Sequence, residues 1–284
     1  MGNLVGNQIL FPAPDSTYDD KLRGLIWDTQ FTTEVTRPFL YIPYHSLNAT
    51  KAPTILYLHA NACDLGGMSP ELHELSRVAE CNVLAVEYPG YGLLASEATS
   101  PEGINQSAEH GVELLLGQGV HPSEIILFGR SIGTGPATRV AKLFKARGWT
   151  PYGLILQSPY ISIHRVVSEY WRLGSWMIDN HWDNKKGFEK LGLDFPLLIV
   201  HGEKDEIIPV NHGKELFTSC QSRRKHLVCP AAATHNEWDI YSDVFKPVRD
   251  FVKRYRPSAI DIPVYQSVRR APSPNMTSPI MRGI

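Results

Sequence analysis

The chain has 284 residues, 28 Lys plus Arg against 29 Asp plus Glu, and 43% apolar residues. That is the balance of a soluble globular protein, and a chain of this size removes roughly 75% of its unfolded surface from water, so it needs no metal or disulfide staple to build a core. A net charge of -1 supplies no field to gather polyanions and excludes a nucleic-acid footprint, leaving the cluster Arg223, Arg224, Lys225 as a solvated loop.

At the start of the chain, Met1-Gly2-Asn3-Leu4-Val5-Gly6 begins like an N-myristoylation site, with Gly6 where Ser or Thr is preferred. Gly2 is therefore a candidate for acylation. One myristoyl chain binds membranes only marginally and needs a second contact, for which Ile9, Leu10 and Phe11 offer an apolar rim. Residues 1–29 read as an N-terminal segment that contacts a membrane, and residues 30–256 as one folded domain. From about Gln30 to Tyr44 the pattern predicts antiparallel strands.

Beyond them, short apolar runs alternate with longer amphipathic ones, as strands joined by crossover helices do in a parallel sheet. The predicted strands are Thr54–Leu58, Val83–Glu87, Ile125–Phe128, Leu154–Gln157, Leu197–His201 and Leu227–Cys229, apolar enough to be buried on both faces. Ile104, Ala108, Val112 and Leu115 recur at helical spacing, as do Ala137, Val140, Ala141 and Phe144. The segment 159–194 breaks the rhythm with Trp171, Trp176 and Trp182 among polar residues. It reads either as a small cap over a pocket or as rings packed on the core. A closing helix is expected over Glu237–Tyr255, bent by Pro247. Residues 257–284, with Pro263, Pro272, Pro274 and Pro279, read as a flexible tail. The four cysteines, Cys63, Cys81, Cys220 and Cys229, are scattered without a C-x-x-C pair or a preceding secretory signal, which points to a cytoplasmic protein. No stretch reaches the roughly 18 apolar residues that a membrane-spanning helix needs.

The strongest local signal is Gly129-Arg130-Ser131-Ile132-Gly133, a G-x-S-x-G directly after an apolar strand and before a helical pattern, the context of a nucleophile elbow. A sharp strand-to-helix turn leaves no room for side chains at Gly129 and Gly133, and it exposes the Ser131 hydroxyl on strained backbone. A serine hydroxyl needs a base to take its proton, and the base needs an acid to orient it, in the chain order Ser, Asp, His. Asp205 lies in the turn His201-Gly202-Glu203-Lys204-Asp205-Glu206 after one predicted strand, with Glu203 and Glu206 as rival acids. His235 lies in Ala233-Thr234-His235-Asn236 after the next. The negative charge on a substrate oxygen requires backbone N–H donors. Ile132, after the nucleophile, should supply one, and Asn61, in the loop His59-Ala60-Asn61-Ala62-Cys63-Asp64, the other.

Three other patterns carry less. His59 and Asp64 form an H-x-x-x-x-D, also found in acyltransferases, but His59 reads as structural. Gly90-Tyr91-Gly92-Leu93-Leu94-Ala95 matches a dinucleotide fingerprint, yet no helix pattern follows, which argues against NAD. His73-Glu74 lacks the second histidine of H-E-x-x-H, so neither a metal nor any cofactor is expected.

Taken together, Leu58 through Gly66, Glu87-Tyr88-Pro89-Gly90-Tyr91-Gly92, Phe128 through Pro136 and Gly202 through Pro209 resemble the serine hydrolases of the α/β-hydrolase superfamily. Within it the chain is similar to the α/β-hydrolase domain-containing protein 17 group, known as protein depalmitoylases, over about Leu40 to Tyr255. The resemblance implies a mostly parallel sheet with helices on both faces, and it places nucleophile, acid and base on Ser131, Asp205 and His235. Two departures stand out. Ala60 occupies a position where such loops usually have glycine, and the first cysteine is Cys63, whereas the group carries an N-terminal cysteine cluster. The expected function is hydrolysis of acyl thioesters or esters through an acyl-serine, by a monomer acting on S-acylated proteins. A lipid esterase acting on monoacylglycerols or lysophospholipids is one alternative. A non-catalytic binding module on the same fold is the other.

Overall fold

The computed structural model describes residues 13–28, 36–44, 52–170, 182–189 and 191–256. Gly2 and the apolar rim Ile9, Leu10 and Phe11 lie outside them, as do Trp171, Trp176 and the tail 257–284.

Among the described residues eight strands form one sheet: β1 (Leu25–Asp28), β2 (Arg37–Ile42), β3 (Thr54–Leu58), β4 (Asn82–Val86), β5 (Ile125–Arg130), β6 (Gly153–Gln157), β7 (Leu197–Val200) and β8 (Lys225–Val228), in the order β1-β2-β4-β3-β5-β6-β7-β8. The pairs β1/β2 and β2/β4 are antiparallel, and every other pair is parallel. The antiparallel strands thus begin at Leu25, earlier than the expected Gln30. Ile26 and Trp27 lie exposed on the edge strand, so β1 lacks the apolar alternation that marks a half-buried strand. The strands expected from β3 to β8 are found to within two residues at each end, and β8, expected to be buried on both faces, is only half-buried at the edge of the sheet. Val83–Glu87 shifts to Asn82–Val86, and β7 stops at Val200, which leaves Glu87 and His201 beyond the strand ends.

All five β3 side chains are buried, because helices cover both faces of the sheet. Leu56 and Leu58 face α2 (Pro101–Gly117), α3 (Thr134–Ala146) and α6 (Asn211–Ser219). Ile55 and Tyr57 face α1 (Leu65–Ala79) and α7 (Lys246–Tyr255). Each helix offers the apolar spacing seen in sequence, such as Ile104, Ala108, Val112 and Leu115 on α2.

Two expectations change. The closing helix begins with a π-helical stretch over Ile240–Phe245, capped by Asp239, and becomes α-helical only at Lys246. Pro247 sits at the second residue of the α-helical part, directly after the helix passes from π to α. In the segment 159–194, α4 (Ile163–Tyr170) and α5 (Asn184–Phe188) lie between β6 and β7. Trp182 packs in the core and its Nε1 donates to Asn105 Oδ1 of α2 at 2.9 Å, so this ring braces the core and is no part of a lid.

Candidate active site

The strand order brings the loops after β3, β5, β7 and β8 to the carboxyl edge of the sheet, where open α/β sheets build their sites. After β5 the chain turns through a 3₁₀ turn, Ser131–Gly133, into α3. Ser131 has φ +52°, a left-handed backbone that a non-glycine residue occupies only under strain of about 1–2 kcal/mol. Neighbouring contacts enforce the turn. A Cβ at Gly133 would overlap the Leu58 carbonyl oxygen, and one at Gly129 would overlap the Gly133 carbonyl. Gly133 is therefore also the point where the elbow presses on the start of the 59–64 loop.

Ser131 Oγ lies 3.0 Å from His235 Nε2, and His235 Nδ1 lies 3.0 and 2.9 Å from the two carboxylate oxygens of Asp205. A carboxylate only accepts, so Nδ1 carries the donated proton and Nε2 is left to accept from the Ser131 hydroxyl. All three side chains are at least nine-tenths buried. Burial alone would raise the Asp205 carboxyl. Hydrogen bonds from His201 and His235, the positive charge His235 can carry and the Ile208 N–H outweigh it and hold Asp205 well below the ordinary carboxylate range. His201 Nε2 approaches Asp205 Oδ2 at 3.4 Å and donates to Ile208 O at 2.7 Å, while Ile207 N and Ile208 N donate to Asp205 Oδ1 at 3.1 and 2.7 Å.

The rival acids face elsewhere. Glu203 pairs with Lys214 at 2.9 Å, and Glu206 accepts from the His235 backbone N–H at 3.2 Å, not from its ring. Ile132 is the middle residue of the turn that leads into the N-terminus of α3. Asn61 sits in the turn between β3 and α1, with its Oδ1 accepting from Tyr91 OH at 2.8 Å. Because Leu58 pairs with Gly129 in register, the loop carrying Asn61 leaves the sheet beside the elbow.

Several bracing residues carried no motif. Tyr160 OH donates to Ile132 O at 3.2 Å, Thr134 Oγ1 to Ser131 O at 2.7 Å, Asn184 Nδ2 to Tyr160 O at 2.9 Å, and Trp238 Nε1 to His235 O at 3.0 Å. Only Gly133-Thr134-Gly135 hinted at them. A Cβ at Gly135 would strike Tyr160 and Trp182, so small residues there signal a ring packed on the elbow. The remaining patterns resolve into structure. Gly92–Leu94 forms a 3₁₀ turn with no helix behind it, His73 Nδ1 donates to Ser69 O at 2.8 Å on an exposed helix face, and the four cysteines are free thiols. Among the described residues no cluster has the makings of a metal site, and no helix is long and apolar enough to cross a membrane.

No family model matches the chain. It is 29% identical over 210 residues to human alpha/beta hydrolase domain-containing protein 17B, an overlap of 71% of this chain and 66% of that protein. It is 30% identical over 211 residues to the Xenopus laevis 17B protein, covering 70% and 66%. The Caenorhabditis elegans protein aho-3 is 31% identical over 201 residues, covering 70% and 57%. The chain thus spans 57–66% of the length of these relatives. Among solved structures, a soluble variant of the Saccharomyces cerevisiae monoglyceride lipase shares the fold at TM-score 0.61 and 14% identity, over 87% of this chain and 100% of that one. Mouse alpha/beta hydrolase domain-containing protein 10 does so at 0.57 and 15%, over 81% and 98%. The doubly covered sheet, the elbow after its central strand and these likenesses converge: the chain has the α/β-hydrolase fold and is similar in sequence to the domain-containing protein 17 group.

Proposed function

We propose that the chain is a serine hydrolase that cleaves acyl thioesters or esters through an acyl-Ser131 intermediate. The observation that carries this reading is the continuous hydrogen-bonded chain from Ser131 Oγ through His235 to Asp205. His235 Nε2 takes the hydroxyl proton as Oγ attacks the acyl carbonyl carbon, and the new negative charge falls on the carbonyl oxygen. The backbone N–H groups of Ile132 and Asn61 stabilise that oxygen. His235 then gives its proton to the leaving sulfur or oxygen. Water, activated by the same nitrogen, attacks the acyl-enzyme and frees the fatty acid and Ser131. Asp205 holds the imidazole in orientation and offsets its charge during both halves.

The acyl chain we propose is palmitate on cysteine of S-acylated proteins, at the cytoplasmic face of membranes, with the enzyme a monomer in peripheral contact. Similarity to the domain-containing protein 17 group supports this choice. A monoacylglycerol or lysophospholipid is the rival, since a monoglyceride lipase shares the fold. Each buried methylene contributes only about 0.8 kcal/mol, so chain length cannot separate two substrates with the same acyl group. The leaving group must. Purified protein is expected to release palmitate from an S-palmitoylated peptide with a higher kcat/KM than from a monoacylglycerol, and Ser131→Ala to abolish both. A reversed ratio moves the enzyme to the lipid esters with its mechanism intact. Turnover by Ser131→Ala at the parent rate removes the mechanism.

A further inference from the structure

His59 and Glu87 form a buried pair beneath the loop that carries Asn61, and the catalytic chain of Ser131, His235 and Asp205 does not use them. His59 Nδ1 donates to Ala60 O at 2.8 Å, and His59 Nε2 lies 3.1 Å from Glu87 Oε1. The Ala60 carbonyl and the Asn61 N–H belong to one planar peptide unit, so fixing the oxygen at one end fixes the direction of the N–H at the other. A hydrogen bond accepted at the carbonyl also polarises that unit and strengthens its N–H as a donor.

The imidazole is itself held on every side. Its ring stacks on Tyr88 with centroids 3.9 Å apart, and Tyr88 OH donates to the His59 carbonyl at 3.2 Å. Glu87 is kept in place by three more donors: Tyr18 OH at 2.8 Å and Leu65 N at 3.2 Å on Oε2, and Tyr88 N at 3.2 Å on Oε1. Tyr18 comes from the segment ahead of the first strand. Thr17, next to it, gives both its N–H, at 2.6 Å, and its hydroxyl to Asp64, which also caps α1 through Gly67 N at 2.8 Å. Gly66 and Gly92 leave the space the Tyr18 ring occupies, since a Cβ at either would overlap it. Burial, then the Glu87 charge, push the Tyr18 phenol far above its usual range, so its hydroxyl stays a donor.

We infer that His59 is a positioning residue for the Ala60–Asn61 peptide, and that Glu87 and Tyr18 lock it in that role, tying the segment before β1 to the oxyanion site. The inference rests on the serine-hydrolase reading, in which the Asn61 N–H meets the developing oxyanion.

Asparagine and glutamine separate positioning from bulk. An asparagine amide reaches about where Nδ1 lies and can still donate to Ala60 O, whereas a glutamine amide reaches toward Nε2 and Glu87 and leaves that carbonyl without its donor. The test compares His59→Asn, His59→Gln and Tyr18→Phe with the parent by p-nitrophenyl ester kinetics and by the Asn61 amide resonance in ¹⁵N-labelled protein. Loss of a whole oxyanion donor costs about 10²–10³ in kcat, so a misaimed one is expected to cost less. We expect His59→Gln to lower kcat about 30-fold with KM changed by less than about twofold, His59→Asn to stay within about fivefold of the parent, and Tyr18→Phe to fall between. The Asn61 amide should shift strongly in His59→Gln and little in His59→Asn. Tyr18→Phe keeps the ring in its slot, so it tests the hydrogen bond even where a His59 variant folds poorly. Equal kcat in the Asn and Gln variants, or an Asn61 amide that ignores both, overturns the inference. A parent that hydrolyses no ester while the Asn61 amide still separates the two variants overturns the serine-hydrolase reading and leaves the peptide clamp standing.

Discussion

Asp205 carries its charge in a place that burial alone makes unfavourable, and donors from His201, His235 and the Ile207 and Ile208 backbone hold it there. Two consequences follow at this single residue. Because its folded-state value is depressed, the ionised carboxylate contributes stability that is fully present above the unfolded value of about 3.9 and is lost as the pH falls through the folded one. In urea titrations across pH, the stability difference between parent and Asp205→Asn is thus expected to be constant from neutral pH down to about 5 and to narrow below about 4. A difference that does not change with pH would show that the carboxylate is not the group held low. On activity, Asp205→Asn should lose on the order of 10⁴ in kcat, because an amide can accept from Nδ1 only weakly and permits the wrong tautomer. Glu203→Gln and Glu206→Gln should keep kcat within about threefold, since neither carboxylate meets the His235 ring. A Glu206→Gln variant as damaged as Asp205→Asn would move the acid by one residue.

The elbow works as an element because glycine is required where two backbones touch, and that requirement can be separated from backbone strain. Gly148 has φ +72° with nothing near its missing Cβ, whereas the Cβ at Gly133 would overlap the carbonyl end of β3. Gly148→Ala is expected to cost about 1 kcal/mol, the penalty for an L side chain in the left-handed region. Gly133→Ala should cost about 3 kcal/mol or more, since β3 and α3 would have to separate. Denaturant midpoints of the two variants check the order, and equal losses would mean that strain, not contact, sets the need for glycine. The same element was legible in the sequence: the strand, the two glycines and the helix behind them stand within a few residues of one another. The residues that brace it were not. Tyr160 follows β6, and Trp182 and Asn184 stand at the entry to α5, so all three reach the elbow only after the chain has crossed β6, and no local spacing records such a meeting.

Over the whole molecule, the alternation of apolar strands and amphipathic helices was enough to predict a covered parallel sheet, and the chain order of Ser131, Asp205 and His235 placed three residues from three separate loops at one edge. Strand order was beyond reach of that pattern. Nothing in β3 or β4 says that β4 lies between β2 and β3, because all are similarly apolar and pair by long-range register. The strap from Thr17 and Tyr18 to Asp64 and Glu87 was hidden for the same reason: its two halves lie 47 and 69 residues apart. His59 carries no motif that announces its partners, Ala60 O and Glu87, the second of which lies 28 residues away.

The central claim is that Ser131 is a nucleophile activated by His235. Its most direct measurement is the mass of the peptide containing Ser131 after incubation of the intact chain with a fluorophosphonate. One stoichiometric adduct is expected on Ser131, absent in Ser131→Ala and strongly slowed in His235→Ala. An unmodified Ser131 in folded parent protein, or an adduct that forms equally fast without His235, would contradict it.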